Sequence, residues 1–177
     1  MKYQEEKDGG HLQIVNDTLE IGLDEVGRGC IFGPVFSAII VISKKNGRKL
    51  IKLGLDDSKK LSIKAREILI PDIYSLSEDW GIGQSSAREI DQFGIRYATE
   101  LSMIRAIEKL RDKPLQLMID GSLPLRLWNG KQTNIIHGES KHPSIAAASV
   151  LAKVKRDELM RRISERCKVY FLNKNNG

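Results

Sequence analysis

Residues 21–34 read I-G-L-D-E-V-G-R-G-C-I-F-G-P. Leu19, Ile21 and Leu23 alternate as on a β-strand with one covered face, and the alternation stops at two adjacent carboxylates, Asp24 and Glu25. Neighbours on a regular strand point to opposite faces, so these acids can share a ligand only where the strand ends and the backbone bends. Gly27 and Gly29 supply that bend and, lacking Cβ atoms, let main-chain groups approach a ligand closely. Carboxylates suit Mg²⁺ or Mn²⁺, while backbone groups and Arg28 suit a sugar or a phosphate. The same residues also suit an acidic strand end running into an ordinary glycine turn.

Working outward, residues 1–16 are a polar N-terminal extension and the first strand occupies about 18–24. Pro34 opens the apolar run V-F-S-A-I-I-V-I-S, which suits a strand covered on both faces by helices. Gly47, among Lys44, Lys45, Arg48 and Lys49, predicts a hairpin-like turn into a short strand at 50–53. Ser62 is placed to cap a helix starting at Ile63, with a kink or break at Pro71. Just before it, Asp56, Asp57, Lys59 and Lys60 form either a solvated turn or a place where a lysine meets a phosphate. Residues 80–85 read as a strand, and a helix is expected over 95–111, with Ala98, Leu101, Ile104 or Arg105, and Ile107 or Glu108 on its apolar stripe.

The opening design recurs at L-Q-L-M-I-D-G. Leu115, Leu117 and Ile119 alternate, and Asp120 arrives beside Gly121, although Asp-Gly also makes simple turns. After a loop at 122–130 and a strand at 133–137, G-E-S-K-H-P-S leads into an alanine-rich helix. Ala146, Val150 and Val154 share one stripe, and Asp157 follows on the face that meets the sheet. A buried unpaired carboxylate costs several kcal/mol or stays neutral. Asp157 therefore needs either an ion pair, for which Arg161 is in reach, or a divalent cation shared with the other acids.

At 177 residues, without repeats or linkers, the chain reads as one domain over 17–177. The excess of 29 Lys and Arg over 23 Asp and Glu suits a polyanionic partner without demanding one. Cys30 and Cys167 form neither a C-x-x-C motif nor a disulfide framework, which fits a reducing cytoplasm. The N-terminus lacks an apolar signal core, and no run reaches the ~18 apolar residues of a membrane span, so a cytoplasmic protein is expected. His11, His137 and His142 lack zinc-ligand spacing, and no self-complementary stripe argues against a monomer. No P-loop, dinucleotide fingerprint or nucleophilic triad competes with the acids.

Several carboxylates are what two-metal phosphodiester hydrolysis needs. D-E-V-G-R-G, D-S-K-K-L-S, the strand-ending I-D-G and P-S-I-A-A-A-S-V-L-A-K-V-K-R-D-E-L-M occur in the order and at roughly the spacing of the ribonuclease HII family, which the chain resembles over about 19–162. The resemblance implies an α/β ribonuclease H-like fold, with a five-stranded mixed sheet flanked by helices. It implies a metal-dependent endoribonuclease that cleaves RNA in RNA–DNA hybrids and cuts 5′ of ribonucleotides embedded in duplex DNA, leaving 3′-hydroxyl and 5′-phosphate ends. Asp24, Glu25, Asp120 and Asp157 match the family's catalytic acids, holding two Mg²⁺ or Mn²⁺ ions. Gly27, Arg28 and Gly29 match the motif that reads the 2′-hydroxyl, the group that separates RNA from DNA. Lys59, Lys141, Ser144 and Arg156 match positions that contact phosphate or organise the acids.

Gly94 and Glu139 stand where the family usually has asparagine and aspartate, and both are expected to lie away from the chemistry. Family members also continue beyond the equivalent of Gly177 with a glycine-tyrosine-glycine segment, and Tyr170 comes too early to replace its tyrosine. That difference predicts weaker binding and poorer preference for the RNA–DNA junction. Two alternatives follow from the same residues: a ribonuclease HIII-type enzyme, against which Arg28 between two glycines argues, and a hybrid-binding module with little turnover.

Overall fold

The computed structural model describes residues 19–166. The N-terminal extension, His11, Cys167, Tyr170 and the chain's end lie outside the described residues. Five strands, β1 (Leu19–Val26), β2 (Val35–Ser43), β3 (Asp79–Ser85), β4 (Gln116–Asp120) and β5 (Lys131–Ile135), form one sheet in the order β3-β2-β1-β4-β5. β1 pairs antiparallel with β2, and β2 with β3, whereas β1–β4 and β4–β5 are parallel. The sheet is therefore mixed, as the family resemblance implies.

All nine residues of β2 are buried, because helices cover both faces. On one face Ala38, Ile40 and Ile42 pack against Ala147, Val150 and Leu151 of α4 (Pro143–Arg166), with α1 (Lys44–Lys52) and α2 (Ile63–Leu76) beside it. On the other, Leu23, Ile39, Leu117 and Ile119 meet Met103, Ala106 and Ile107 of α3 (Ala87–Ile107). The two-residue period of the pleat thus sorts one strand into two cores. Gly22 sets how closely α4 lies on β1: a Cβ there would stand 2.3 Å from the Ser144 carbonyl carbon.

Several local expectations give way to tertiary packing. Residues 44–52 form α1 and not a turn and strand: the Ser43 hydroxyl accepts from the Asn46 amide at 3.2 Å, and Leu50 is fully buried. Gly47 lies inside this helix, where an added Cβ would meet Pro143 at 3.0 Å. Ser62 does cap α2, but Pro71 does not break it. Pro71 is exposed, and the buried opposite side of the helix, through Arg66, Leu69 and Ile73, carries it through the lost hydrogen bond.

α3 begins eight residues before the expected Ile95, with Ser86 and Glu89 making a reciprocal capping box. Gly94, at φ 79°, divides it into two helical segments, and it ends at Ile107, short of Arg111. Its buried residues include Ala98, Thr99, Ser102, Met103 and Ala106, while Leu101 and Ile104 are only half-buried. β5 stops at Ile135, before His137 turns into the left-handed region at φ 55° and a 3₁₀ turn follows.

Candidate active site

Parallel pairing of Leu23 with Ile119 brings the next residues, Asp24 and Asp120, to the same level at the ends of neighbouring strands. Each carboxylate is held on one oxygen by a main-chain amide: Asp24 Oδ1 accepts from the Glu25 N–H, and Asp120 Oδ1 from the Gly138 N–H, both at 2.7 Å. Glu25 Oε1 accepts from Arg28 Nη1 at 3.0 Å. Glu25, Arg28 and Asp120 share a cleft of about 220 Å³ with Thr99, Gly121 and Ser122, and the ion pair of Arg96 with Glu100 lines the same cleft.

The electrostatics of this corner are unfavourable as it stands. Burial, then Glu25, then Asp120 push the Asp24 carboxyl well above the usual carboxylate range, against a lowering hydrogen bond from Ser149. Burial also raises Glu25; Arg28 opposes the rise and Asp120 adds to it. Arg28 is engaged on Glu25, Arg96 on Glu100 and Lys59 on Glu139, so Asp24, Glu25 and Asp120 together are left with a deficit of positive charge. A divalent cation with a preference for oxygen fits that deficit. Among the described residues no group of three or more His, Cys, Asp or Glu side chains is placed so that it could hold a metal ion. Glu25 and Asp120 nevertheless each have one oxygen outside the hydrogen bonds given above.

The glycine-arginine-glycine segment is held from beneath. Fully buried Arg156 donates through Nε to the Pro34 carbonyl at 3.1 Å and through Nη2 to the Phe32 carbonyl at 2.9 Å. Gly27, at φ 104°, leaves no room for a Cβ, which would lie 2.7 Å from Arg156 Nε. Gly29 differs: a Cβ there would meet nothing within 4 Å, and its φ is not positive. Neither packing nor backbone requires a glycine at that position.

Lys59 Nζ donates to Glu139 Oε1 at 3.0 Å, a bond that holds its ammonium above the usual range. Lys141 Nζ donates to the Ile136 carbonyl at 2.8 Å. Ser144 is fully buried, with its hydroxyl 3.5 Å from Glu20. Asp157 has a different ion-pair partner from the expected one. Lys153 Nζ stands 3.1 Å and Arg66 Nη2 3.6 Å from its oxygens, whereas Arg161 pairs with Glu67 at 2.8 Å.

Three residues enter the site's surroundings without having been singled out for it. Arg66 donates to the Ser58 carbonyl at 2.7 Å and so ties the D-S-K-K loop to Asp157. Ser149 interrupts the alanine run of α4 and opposes the upward shift of the Asp24 carboxyl. Glu139, expected away from the chemistry, is buried and accepts from Ser149 at 3.1 Å. The polar Ser149 in an alanine run was one available signal and the acid at Glu139, where the family usually has aspartate, another; Arg66 carried none.

The family profile described as Ribonuclease HII matches residues 21–177. The chain belongs to the ribonuclease HII family. It is accordingly an endoribonuclease, a phosphodiester hydrolase. Ribonuclease HII of Prochlorococcus marinus strain MIT 9515 is 61% identical over 174 residues, 98% of this chain and 83% of that protein. The strain NATL2A protein is 54% identical over 160 residues, 90% and 82% of the two chains. Among solved structures, ribonuclease H2 from Pyrococcus horikoshii OT3 superposes with a TM-score of 0.74 at 25% identity, covering 84% of this chain and 77% of that one. The ribonuclease HII of Archaeoglobus fulgidus, solved as a complex with PCNA, gives 0.68 at 28% identity, covering 83% and 76%. Bst-RNase HIII, solved with Mn²⁺, shares the fold at a TM-score of 0.70 and 22% identity, over 86% of this chain and 56% of that one.

Proposed function

We propose that this chain hydrolyses the RNA strand of RNA–DNA hybrids and cuts 5′ of ribonucleotides embedded in duplex DNA, using two Mg²⁺ or Mn²⁺ ions and leaving 3′-hydroxyl and 5′-phosphate ends. The observation that carries the reading is the side-by-side placement of Asp24 and Asp120 at the ends of β1 and β4, next to Glu25. Bound divalent ions supply the charge that activates a water and stabilises the leaving oxygen. The residues of the chain hold, orient and discriminate.

Asp24, Glu25 and Asp120 form the acidic core, with main-chain amides fixing the two aspartates. Asp157 is assigned an outer share, because Lys153 and Arg66 already compensate its charge. Gly27 holds the turn on Arg156. The open side of Gly29 gives a ribose close access to the main chain, where the 2′-hydroxyl can both donate and accept hydrogen bonds. Arg28, half-exposed beside Glu25, and the exposed Lys59 lie where the backbone phosphates approach. Lys141 serves the same polyanion, while Ser144 and Arg156, both buried, act by holding the scaffold.

No helix among the described residues is long and apolar enough to cross a membrane. We place the enzyme in the cytoplasm as a monomer. The test is cleavage of a DNA duplex carrying one ribonucleotide, and of a continuous hybrid, with Mg²⁺ and Mn²⁺ in parallel. Cutting 5′ of the single ribonucleotide is expected. A wild-type chain inert with both ions supports the binding-module alternative, and activity confined to continuous hybrid supports the ribonuclease HIII-type one.

A further inference from the structure

α1 carries the cations Lys44, Lys45, Arg48, Lys49 and Lys52 and no acid. All of them are exposed, on the side of the helix away from buried Gly47 and Leu50. Lys44, Arg48 and Lys52 follow one another at a spacing of four, and Lys45 and Lys49 form a second row beside them, so like charges are neighbours along both rows. Lys44 and Lys45 also stand in the first turn, where the helix's own amides are positive and a cation is disfavoured. Among the described residues no ion pair involves any of these side chains; Lys49 Nζ donates instead to Asn46 Oδ1, at 3.0 Å. On α4, by contrast, Lys155 lies 3.1 Å from Glu158 and Arg161 2.8 Å from Glu67. The charge of α1 thus works against its own helix, and no carboxylate of the described fold balances it.

The acids that follow in sequence are engaged elsewhere. Asp56 pairs with Lys60 at 3.2 Å, and Asp57 accepts from the Lys59 amide at 2.8 Å. α1 rests on the start of α4, where a Cβ added to Gly47 would stand 3.0 Å from Pro143. A hollow of about 420 Å³ separates Ile51, Gly54 and Asp56 at the end of α1 from Lys141, His142 and Pro143. Lys141, assigned above to the substrate's phosphates, faces α1 across that hollow, and Glu139, which holds Lys59, lines it as well. The cations of α1 therefore extend the proposed phosphate surface and do not form a separate patch.

We infer that the exposed face of α1 is a second docking surface for the duplex, taking the sugar-phosphate backbone of the flank beside the cut. This rests on the proposed reading of the substrate as a nucleic-acid duplex. A duplex presents a negative charge every ~1.7 Å along its axis, and two rows of cations meet such a regular polyanion without touching a base. The contact is accordingly independent of sequence and sensitive to salt.

The test is fluorescence anisotropy of a labelled duplex of about 30 base pairs carrying one ribonucleotide, with EDTA present and salt varied around the ~0.1 M range. The full chain is compared with K44Q/K45Q/R48Q and with K109Q/K113Q/K131Q, which removes the same charge from exposed positions outside α1. Circular dichroism checks folding. K44Q/K45Q/R48Q is expected to bind about tenfold more weakly, with a dependence of log Kd on log salt shallower by about 2–3, whereas the other triple variant stays within about threefold of wild type. An α1 variant that keeps the affinity and salt slope of wild type overturns the inference and leaves an acidic protein as the occupant of this face. An equal loss in K109Q/K113Q/K131Q also overturns it, because net charge and not position would then be responsible. Should the α1 triple variant not fold, R48Q alone decides: the slope should fall by about 1, and an unchanged slope overturns the inference. A wild type that binds the duplex through α1 but cuts it with neither Mg²⁺ nor Mn²⁺ supports the inference while overturning the proposed cleavage. A wild type that binds no duplex overturns both.

Discussion

Asp24 and Glu100 are both buried carboxylates, 5% and 2% exposed, yet their surroundings are opposite. Glu100 accepts from Arg96 Nε at 2.5 Å and from Arg126 Nε at 2.8 Å, so two guanidinium groups balance one carboxylate. Asp24 faces Glu25 and Asp120, with Arg28 engaged on Glu25. The cluster around Glu100 joins α3 to the loop after β4 and is complete as built. The corner around Asp24 is short of positive charge. Burial of an acid therefore does not by itself mark a functional site in this protein; burial without compensation does.

The largest expected effect comes from exchanging the two regions' chemistry. D24N or D120N should reduce cleavage of a single-ribonucleotide duplex to background, whereas E100Q should leave Mn²⁺ affinity within about twofold of wild type. E100Q should instead lower stability by about 2 kcal/mol, since breaking a buried pair costs more but both arginines here are partly exposed. Urea denaturation with EDTA measures that loss. Metal-free D24N should be more stable than wild type, because it removes a charge that burial and two neighbouring acids disfavour.

G27A comes next. It places a Cβ at 2.7 Å from Arg156 Nε on a backbone with φ 104°, and is expected to cost about 2–3 kcal/mol in the same denaturation experiment. G29A meets no protein atom within 4 Å. It should leave stability unchanged and reduce cleavage of the embedded ribonucleotide more than cleavage of continuous hybrid.

The two kinds of acid also differ in the sign of their pH dependence. Asp24 and Glu25 are raised above their ordinary 3.8 and 4.5, so the folded state binds more protons than the unfolded one. Their contribution to metal-free stability is therefore greatest below pH ~4 and falls as pH rises through the elevated folded values. Glu89 is held down to about 2, chiefly by Arg105 and then by Ser86. Its contribution is present above pH ~4.5 and disappears as pH falls towards 2. D24N should flatten the loss of metal-free melting temperature between pH 5 and 8. E89A should produce the smallest change, about 2–4 °C at neutral pH and less in acid.

The acid corner was legible from sequence because each aspartate ends a clear two-residue alternation beside a glycine. The parallel register that juxtaposes them was implied only through the family resemblance. The uninterrupted apolar run of β2 announced a doubly covered strand, and the alanine stretch announced α4. α1 was not legible: four of its nine residues are lysine, one is Gly47, and packing on Leu50 together with the Ser43 cap outweighs those local preferences. The first part of α3 was missed although Ser86 and Glu89 spelled its capping box. The partners of the buried acids were beyond reach of any local pattern, since Arg66 lies far from Asp157 in sequence, as Arg126 does from Glu100.

The central claim is that the corner at the ends of β1 and β4 lacks positive charge that a divalent cation supplies. The direct measurement is the thermal melting temperature at pH 8 with EDTA and with millimolar Mn²⁺, for wild type, D24N and E100Q. Ligand binding to the folded state alone raises stability with ligand concentration. Mn²⁺ should therefore raise the melting temperature of wild type and of E100Q by a similar amount and leave D24N unmoved. A wild type indifferent to Mn²⁺, or a D24N variant stabilised as much as wild type, would contradict the claim.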